Sequence, residues 1–250
     1  MSLIVQEIKV KSVLTKSEIS GVDYCINPYV GCSHGCRYCY ATFMKRYTGH
    51  TEAWGGFVDV KINAPEILQR QLKKAKKGNV IISSVTDAYQ PIESKYRLTR
   101  QCLEALLQRQ FPVDILTKSP LVLRDMDLIK KFKDIEVGIT ITTNDEKIKK
   151  VFEPNAPSTM ARIRTLKALH DNRIKTYAFI GPVLPMDPEA LSEKISPYID
   201  SIIIDRMNYT SKTLNIYQRM NLNKWLDKGF VDDIIQRLKN GFAGKTVSIC

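Results

Sequence analysis

Histidine is nearly missing from this chain: His34, His50 and His170 are the three in 250 residues. No H-x3-H pair exists, and the C-x2-C at Cys36 and Cys39 has no second copy. A zinc module assembled from two such pairs therefore has little to build with. No apolar run is long enough to span a bilayer, so no membrane partner is expected. Charge arrives as early as Glu7, too soon for a secretory signal. The six cysteines are clustered rather than spread, which argues against a disulfide framework and for a reducing, cytoplasmic setting. Linkers and low-complexity stretches are also lacking, which makes one domain over 1–250 the simplest organisation.

What is present is concentrated in Asn27-Pro28-Tyr29-Val30-Gly31-Cys32-Ser33-His34-Gly35-Cys36-Arg37-Tyr38-Cys39-Tyr40. Cys32, Cys36 and Cys39 have the spacing C-x3-C-x2-C, and thiolates that close on one loop can converge on one metal centre. Gly31 and Gly35 let the backbone fold tightly around it. Three sulfurs are one fewer than the four that saturate a [4Fe-4S] cube, leaving one iron for a cofactor. A structural zinc site with His34 or Cys25 as fourth ligand is the alternative. The spacing, followed by Tyr40, resembles the signature of radical S-adenosylmethionine (SAM) enzymes.

A repeat of short apolar strand, polar loop and amphipathic helix runs through the rest. Residues 3–20 suggest one preliminary strand, and 23–27 the first barrel strand, stopped by Pro28. Residues 39–46 suggest a short helix and 57–61 a strand-like run. A helix opens at Ala64-Pro65-Glu66, with Ile67, Leu68 and Leu72 as its buried stripe. Further strands are expected at 80–83, 113–116, 136–141, 176–180 and 201–204, with helices near 98–110, 121–132, 158–171 and 188–197. Alternation at this interval calls for a parallel sheet with right-handed crossovers. Six βα units fall short of the full eight. The expected class is thus α/β, a partial (β/α)6 TIM-like barrel over about 22–210, with a helical extension over about 211–250.

Chemistry in such a barrel sits at the C-terminal strand ends. After the second strand come Ser83, Ser84, Val85, Thr86 and Asp87. Thr86 and Asp87 suit the ammonium and ribose of SAM, and equally suit a capped turn. Lys118, closing the third strand, suits the carboxylate of SAM or a solvated surface. Thr140 and Thr142 suit a ribose, although β-propensity alone also explains them. Ser158 reads as an N-cap, and Arg162 on the helix that follows either points back at the site or is solvated. Residues 181–185 suit an adenine, and 205–209 a substrate wall.

The stretches NPYVGCSHGCRYCYATF, SSVTDAYQPIESKYRLTR, ILTKSPLVLRD and FEPNAPS together resemble the spore photoproduct lyase-like family of radical SAM proteins, over about residues 8–210. That resemblance implies a [4Fe-4S] cluster on Cys32, Cys36 and Cys39. It further implies that SAM is cleaved to methionine and a 5′-deoxyadenosyl radical, with a thymine dimer in DNA as substrate. Tyr38 and Tyr40 match motif tyrosines, Tyr40 being the one linked to hydrogen transfer, and Thr86 and Lys118 match SAM-contacting positions. One departure stands out: Ser84 occupies the stretch where a hydrogen-donating cysteine is expected. A serine O–H is too strong for that task. Cys102 reads as core, and Cys250 as part of a mobile terminus.

Basic residues outnumber acidic ones 38 to 26, a net charge of +12. That balance fits a polyanionic partner, although it also serves solubility. The expected partners are therefore DNA or RNA and a reductant such as flavodoxin or ferredoxin. The competing expectations are a peptide or small-molecule substrate, and a non-catalytic zinc module that binds nucleic acid.

Overall fold

Strand and helix alternate along the chain in the computed structural model, which describes residues 3–250. The chain divides into two compact units, the first up to Gly35 plus Ala41–Val137, the second Cys36–Tyr40 plus Gly138–Cys250.

The first unit contains β1 (Ile4–Ile8), β2 (Leu14–Lys16), β3 (Tyr24–Ile26), β4 (Tyr29–Val30), β5 (Phe57–Lys61), β6 (Val80–Ile82) and β7 (Val113–Thr117). Strands β3, β6 and β7 run parallel, with Ile26 opposite Ile82 and Ile82 opposite Ile115. All three of those isoleucines are fully buried. The stretch 3–20 yields two strands rather than one, and they go to different sheets. β1 pairs in parallel with β5, which also pairs antiparallel with β4, whereas β2 lies antiparallel on β3. Its sequence alternates too loosely to reveal that break.

Helix α1 (Ala64–Leu72) buries Ile67, Leu68 and Leu72, as the stripe predicts, with Glu66 in its first turn. It packs on α3 (Leu98–Arg109), which follows the single turn α2 (Glu93–Tyr96). Arg97 separates α2 from α3 by adopting a left-handed conformation, φ +53°. The helix expected near 121–132 is instead a 3-10 segment, Pro120–Asp125, followed by the short α4 (Met126–Ile129). Residues Tyr40–Tyr47 are also 3-10 in character.

The second unit takes up β8 (Ile135–Thr140) from Gly138 onward. It continues with β9 (Lys175–Ile180), β10 (Ser201–Ile204) and β11 (Thr246–Ile249). Its helices are α5 (Glu146–Phe152), α6 (Thr159–Asp171), α7 (Pro188–Ile195), α8 (Leu214–Arg219) and α9 (Lys228–Gly241). Ser158 caps α6 by accepting from the Ala161 amide at 3.2 Å, as its position before the helix foretold. Asp145, Asp187 and Asp227 cap α5, α7 and α9 in the same way.

The tail departs from the expected all-helical extension. Its last residues form β11, parallel to β10, and the Cys250 amide donates to the Ile204 carbonyl at 3.0 Å. Cys250 is therefore held at the C-terminal end of β10 instead of swinging free. Val247 and Ile249 supplied the β-branched signal, which four residues at a chain end leave weak. Parallel strands β3, β6 and β7 in the first unit and β9, β10 and β11 in the second alternate with helices, an α/β architecture of the partial TIM-barrel kind, as expected. Among the described residues no helix is long and apolar enough to cross a membrane.

Candidate active site

In the first unit the cysteine loop begins at Gly31, whose φ is +83°. A Cβ there would lie 2.5 Å from the Phe57 carbonyl oxygen, so glycine alone fits this close pass over β5. Gly35, at φ +61°, closes the turn by donating to the Cys32 carbonyl. Gln90 holds the loop from the other side. Its Oε1 accepts from the Ser33 amide at 2.9 Å, and its Nε2 donates to Thr86 Oγ1 at 2.9 Å. Thr86 in turn donates to the Gly31 carbonyl at 2.6 Å. Thr86 thus sits directly against the cysteine loop.

Asp87 is a buried hub. It accepts from the Tyr89 amide (2.9 Å), Thr117 Oγ1 (2.6 Å) and the Lys118 amide (2.9 Å), and lies 3.4 Å from His34 Nδ1. Burial alone would raise its carboxyl; His34 and the donated hydrogen bonds overcome this and hold it well below the usual range. His34 is pulled the opposite way. Burial favours its neutral form, yet Cys32 and Asp87 outweigh that and lift it to about 9. Its Nε2 is buried with no hydrogen-bond partner.

In the second unit, Tyr38 donates to the carboxylate of Glu153, a fully buried residue quoted in sequence only as part of a loop motif. The other Glu153 oxygen takes Arg162, which is 1% exposed. The Arg162 guanidinium also donates to the carbonyls of Pro157 (3.0 Å) and Thr140 (3.2 Å). Arg162 is thus an internal brace rather than a solvated residue. Burial, Cys36 and Glu153 together push the Tyr38 hydroxyl well above its ordinary value, so it stays protonated and donating. The Arg37 amide donates to the Phe152 carbonyl at 2.8 Å, and Lys212 Nζ donates to the Cys39 carbonyl at 2.6 Å. Tyr40, 44% exposed, stacks near-parallel to Tyr209, 47% exposed, at 6.4 Å between ring centres.

The strand ends supply open hydrogen-bonding capacity. Thr140 and Thr142 are buried, and Thr142 Oγ1 has no partner, as is also true of Ser83 Oγ in the first unit. Lys118 engages Asp87 through its backbone amide. Buried polar atoms left unsatisfied cost stability unless a ligand or water completes them. Unsatisfied hydroxyls at strand ends, and cysteines at 32, 36 and 39 that form no disulfide, have the chemistry that a polar cofactor needs. A separate cavity of about 420 Å³, lined by Lys11, Ile67, Arg70, Gln71, Lys73 and Lys74, contains none of these groups.

Sequence reasoning left Gln90 and Glu153 without roles, and it did not foresee that Asp87, expected to contact SAM, pairs with His34, the alternative zinc ligand. Each is polar and far in sequence from its partner, so periodicity carries no trace of it. The one available signal was a string of polar residues at positions where buried apolar ones would be cheaper.

A model of the Radical SAM superfamily matches residues 26–193. An uncharacterized protein of Methanocaldococcus jannaschii is 40% identical over 244 residues, which cover 93% of this chain and 92% of that protein. A solved spore photoproduct lyase mutant with bound AdoMet and dinucleoside spore photoproduct has a TM-score of 0.67 at 14% identity. That match covers 98% of this chain and 81% of the lyase. Streptococcus suis SuiB bound to precursor peptide SuiA has a TM-score of 0.54 at 17% identity, over 100% of this chain and 49% of SuiB. At these identities the two structures speak for the fold.

Proposed function

We propose, since the chain belongs to the Radical SAM superfamily, that it cleaves SAM reductively and directs the resulting radical onto a nucleic acid. The protein is an enzyme whose family uses a [4Fe-4S] cluster and SAM, and this removes the non-catalytic zinc alternative. When bound, the cluster supplies the electron that splits SAM into methionine and a 5′-deoxyadenosyl radical. Cys32, Cys36 and Cys39 would hold it. The chain's own residues do the positioning. Asp87 and Gln90 fix the loop that carries Cys32, and Glu153 with Arg162 fixes the segment that carries Cys36 and Cys39.

Thr86 and Lys118 at strand ends of the first unit, and Thr140 and Thr142 at those of the second, are the candidate SAM contacts, the unpartnered Thr142 hydroxyl having a bond to gain. Asp87 and Arg162 serve this site from behind, because their polar atoms are taken up internally. Tyr38, buried on Glu153, orients the loop, whereas the exposed Tyr40 faces substrate. A one-electron donor is required by the family, and a flavodoxin or ferredoxin suits a protein carrying a net charge of +12.

The observation that carries the nucleic-acid reading is the exposed Tyr40–Tyr209 pair with Lys212 Nζ 5.3 Å from the Tyr209 ring centre. Flat aromatic faces beside a cation are how bases are held without sequence preference. The solved lyase, which holds a dinucleoside photoproduct, supports the same class. SuiB with its precursor peptide supports a peptide substrate as the second reading. Anaerobic reconstitution with SAM and dithionite tests both, by measuring 5′-deoxyadenosine with and without ultraviolet-irradiated DNA. Stimulation by the DNA, weakening steeply with salt, is expected. No stimulation, with full activity at high salt, would shift the reading to a peptide or small molecule.

A further inference from the structure

We propose that Cys25 is a hydrogen-atom donor to carbon radicals formed in this site, an inference that rests on the radical reading above. Cys25 lies at the centre of β3, opposite Thr15 of β2, while the next pair in register is Ile26 with Leu14. Leu14 and Ile26 are buried, and the Leu14 amide donates to Gln71 of α1 at 3.0 Å. In the adjoining strand Ile26 stands beside the fully buried Ile82, so Leu14, Ile26 and Ile82 share one apolar face. Successive side chains point to opposite faces, so Cys25 and the exposed Thr15 project from the other face, beside Ile81.

Cys25 is nonetheless buried, 5% exposed. Its surroundings are polar. Sγ lies 2.9 Å from Ser84 Oγ and accepts from Asn27 Nδ2 at 3.1 Å. Asn27 is held in that orientation because its Oδ1 accepts from the Val85 amide at 3.1 Å. Either side chain can donate in the Cys25–Ser84 contact; when Ser84 donates, as Asn27 does, the S–H bond is left to point elsewhere.

A second observation points to an occupant at this strand end. The Ser83 amide donates to the carbonyl of Ile26, the residue after Cys25, at 2.7 Å. Ser83 adopts φ +69°, and its hydroxyl, on a residue 5% exposed, has no partner. A strained turn presenting an unsatisfied buried hydroxyl at the carboxyl end of parallel strands is a ligand-facing arrangement. Cys102 shows the contrast: it is fully buried on α3, as for a cysteine that only packs.

The chemistry balances. The S–H bond of Cys25 breaks homolytically and its hydrogen atom forms a C–H bond at the carbon radical, leaving a sulfur-centred radical. One electron from the reductant that the family requires, with a proton from water, restores the thiol. Ser84 cannot take this role, because its O–H bond is stronger than the C–H bond to be made. The two side chains touch, so the thiol occupies nearly the same place from a neighbouring strand.

The probe is SAM alone, turned over with dithionite in D2O, with mass analysis of the 5′-deoxyadenosine formed. The wild type is expected to deliver one deuterium from its exchanged thiol. Cys25→Ser, almost the same shape, should lose that deuterium severalfold while still forming 5′-deoxyadenosine. The double variant Cys25→Ser with Ser84→Cys should regain it. Unchanged deuterium content in Cys25→Ser would overturn the proposal, and absence of 5′-deoxyadenosine from the wild type would remove the parent reading with it.

A second measurement needs no turnover. In cluster-loaded, unreduced protein, SAM should slow iodoacetamide labelling of Cys25, read by peptide mass, and leave the exposed Cys250 labelling as before. Equal labelling of Cys25 with and without SAM would refute its place in the site even if the radical chemistry stands.

Discussion

The two halves of the cysteine motif are fastened by two different buried ion pairs. On the Cys32 side, His34 meets Asp87 at 3.4 Å, and Asp87 also collects two backbone amides and a threonine hydroxyl. On the Cys36 and Cys39 side, Arg162 and Tyr38 share the carboxylate of Glu153. Arg162 stays charged at every accessible pH and offers a rigid fork, whereas an imidazole holds its charge only while its partners retain it. The Arg162 brace is thus a permanent fixture. The Asp87 hub relies more on the number of donors it gathers than on the charge opposite it. Neither pair is strong evidence of net stability, but removing one partner from either strands a charge in the interior.

Four substitutions sharpen that contrast. The largest effect is expected from Cys32→Ala and Cys36→Ala, which should both abolish cluster absorbance and SAM cleavage although different pairs hold their segments. Iron and sulfide analysis with a 5′-deoxyadenosine assay checks this, and retained cleavage in either would break the ligand assignment. Next, Arg162→Met should cost about 3–5 kcal/mol in urea unfolding by leaving Glu153 unpaired. An unchanged midpoint would show that Glu153 is neutral in the folded state.

Asp87→Asn should cost less, about 1.5–3 kcal/mol, because an amide oxygen keeps some of the donors satisfied while the charge is lost. Unfolding midpoints of the two variants, measured side by side, decide whether the arginine brace is the costlier one to break. A loss as large as that of Arg162→Met would mean that the donors, and not the fork, carry the difference.

The smallest effect is a control within the first unit. His50 places Nδ1 3.0 Å from Glu52 and Nε2 2.7 Å from Asp59, with its ring stacked on Phe57. Burial lowers its pKa, but the hydrogen bonds to Asp59 and Glu52 outweigh this and raise it. A raised folded value means the added stability is fully present below the unfolded pKa, near 6.5. It is lost as pH rises through the folded value. His50→Gln should therefore flatten the fall in melting temperature between mildly acidic and alkaline buffer. A wild-type and variant pair with parallel pH profiles would exclude the doubly donating imidazolium.

Much of the architecture was legible because it follows local rules. Ile67, Leu68 and Leu72 recur at helical spacing and are buried, and Ser158 caps the helix it precedes. The apolar runs at 80–83 and 201–204 hold strands too: Val80–Ile82 is buried throughout and needs no polar alternation, while in Ser201–Ile204 the buried Ile202 and Ile204 alternate with half-buried neighbours. Less legible was the division of residues 3–20 into β1 and β2, or the final strand β11, because each is short and its identity is fixed by the partner it finds. In the site, Arg162 shows the limit most clearly. Nothing in Thr159-Met160-Ala161-Arg162 distinguishes an internal brace from a solvated residue, and only the arrival of Glu153 and two carbonyls makes the difference.

By itself the sequence determined the spacing of Cys32, Cys36 and Cys39 and the rhythm of strand and helix, because both are written in neighbouring residues. Tertiary structure alone decided which charges meet, which hydroxyls are left unsatisfied, and that the thiol of Cys25 lies against Ser84. These depend on contacts between residues dozens of positions apart, whose chemistry is invisible until the backbone has brought them within hydrogen-bonding distance.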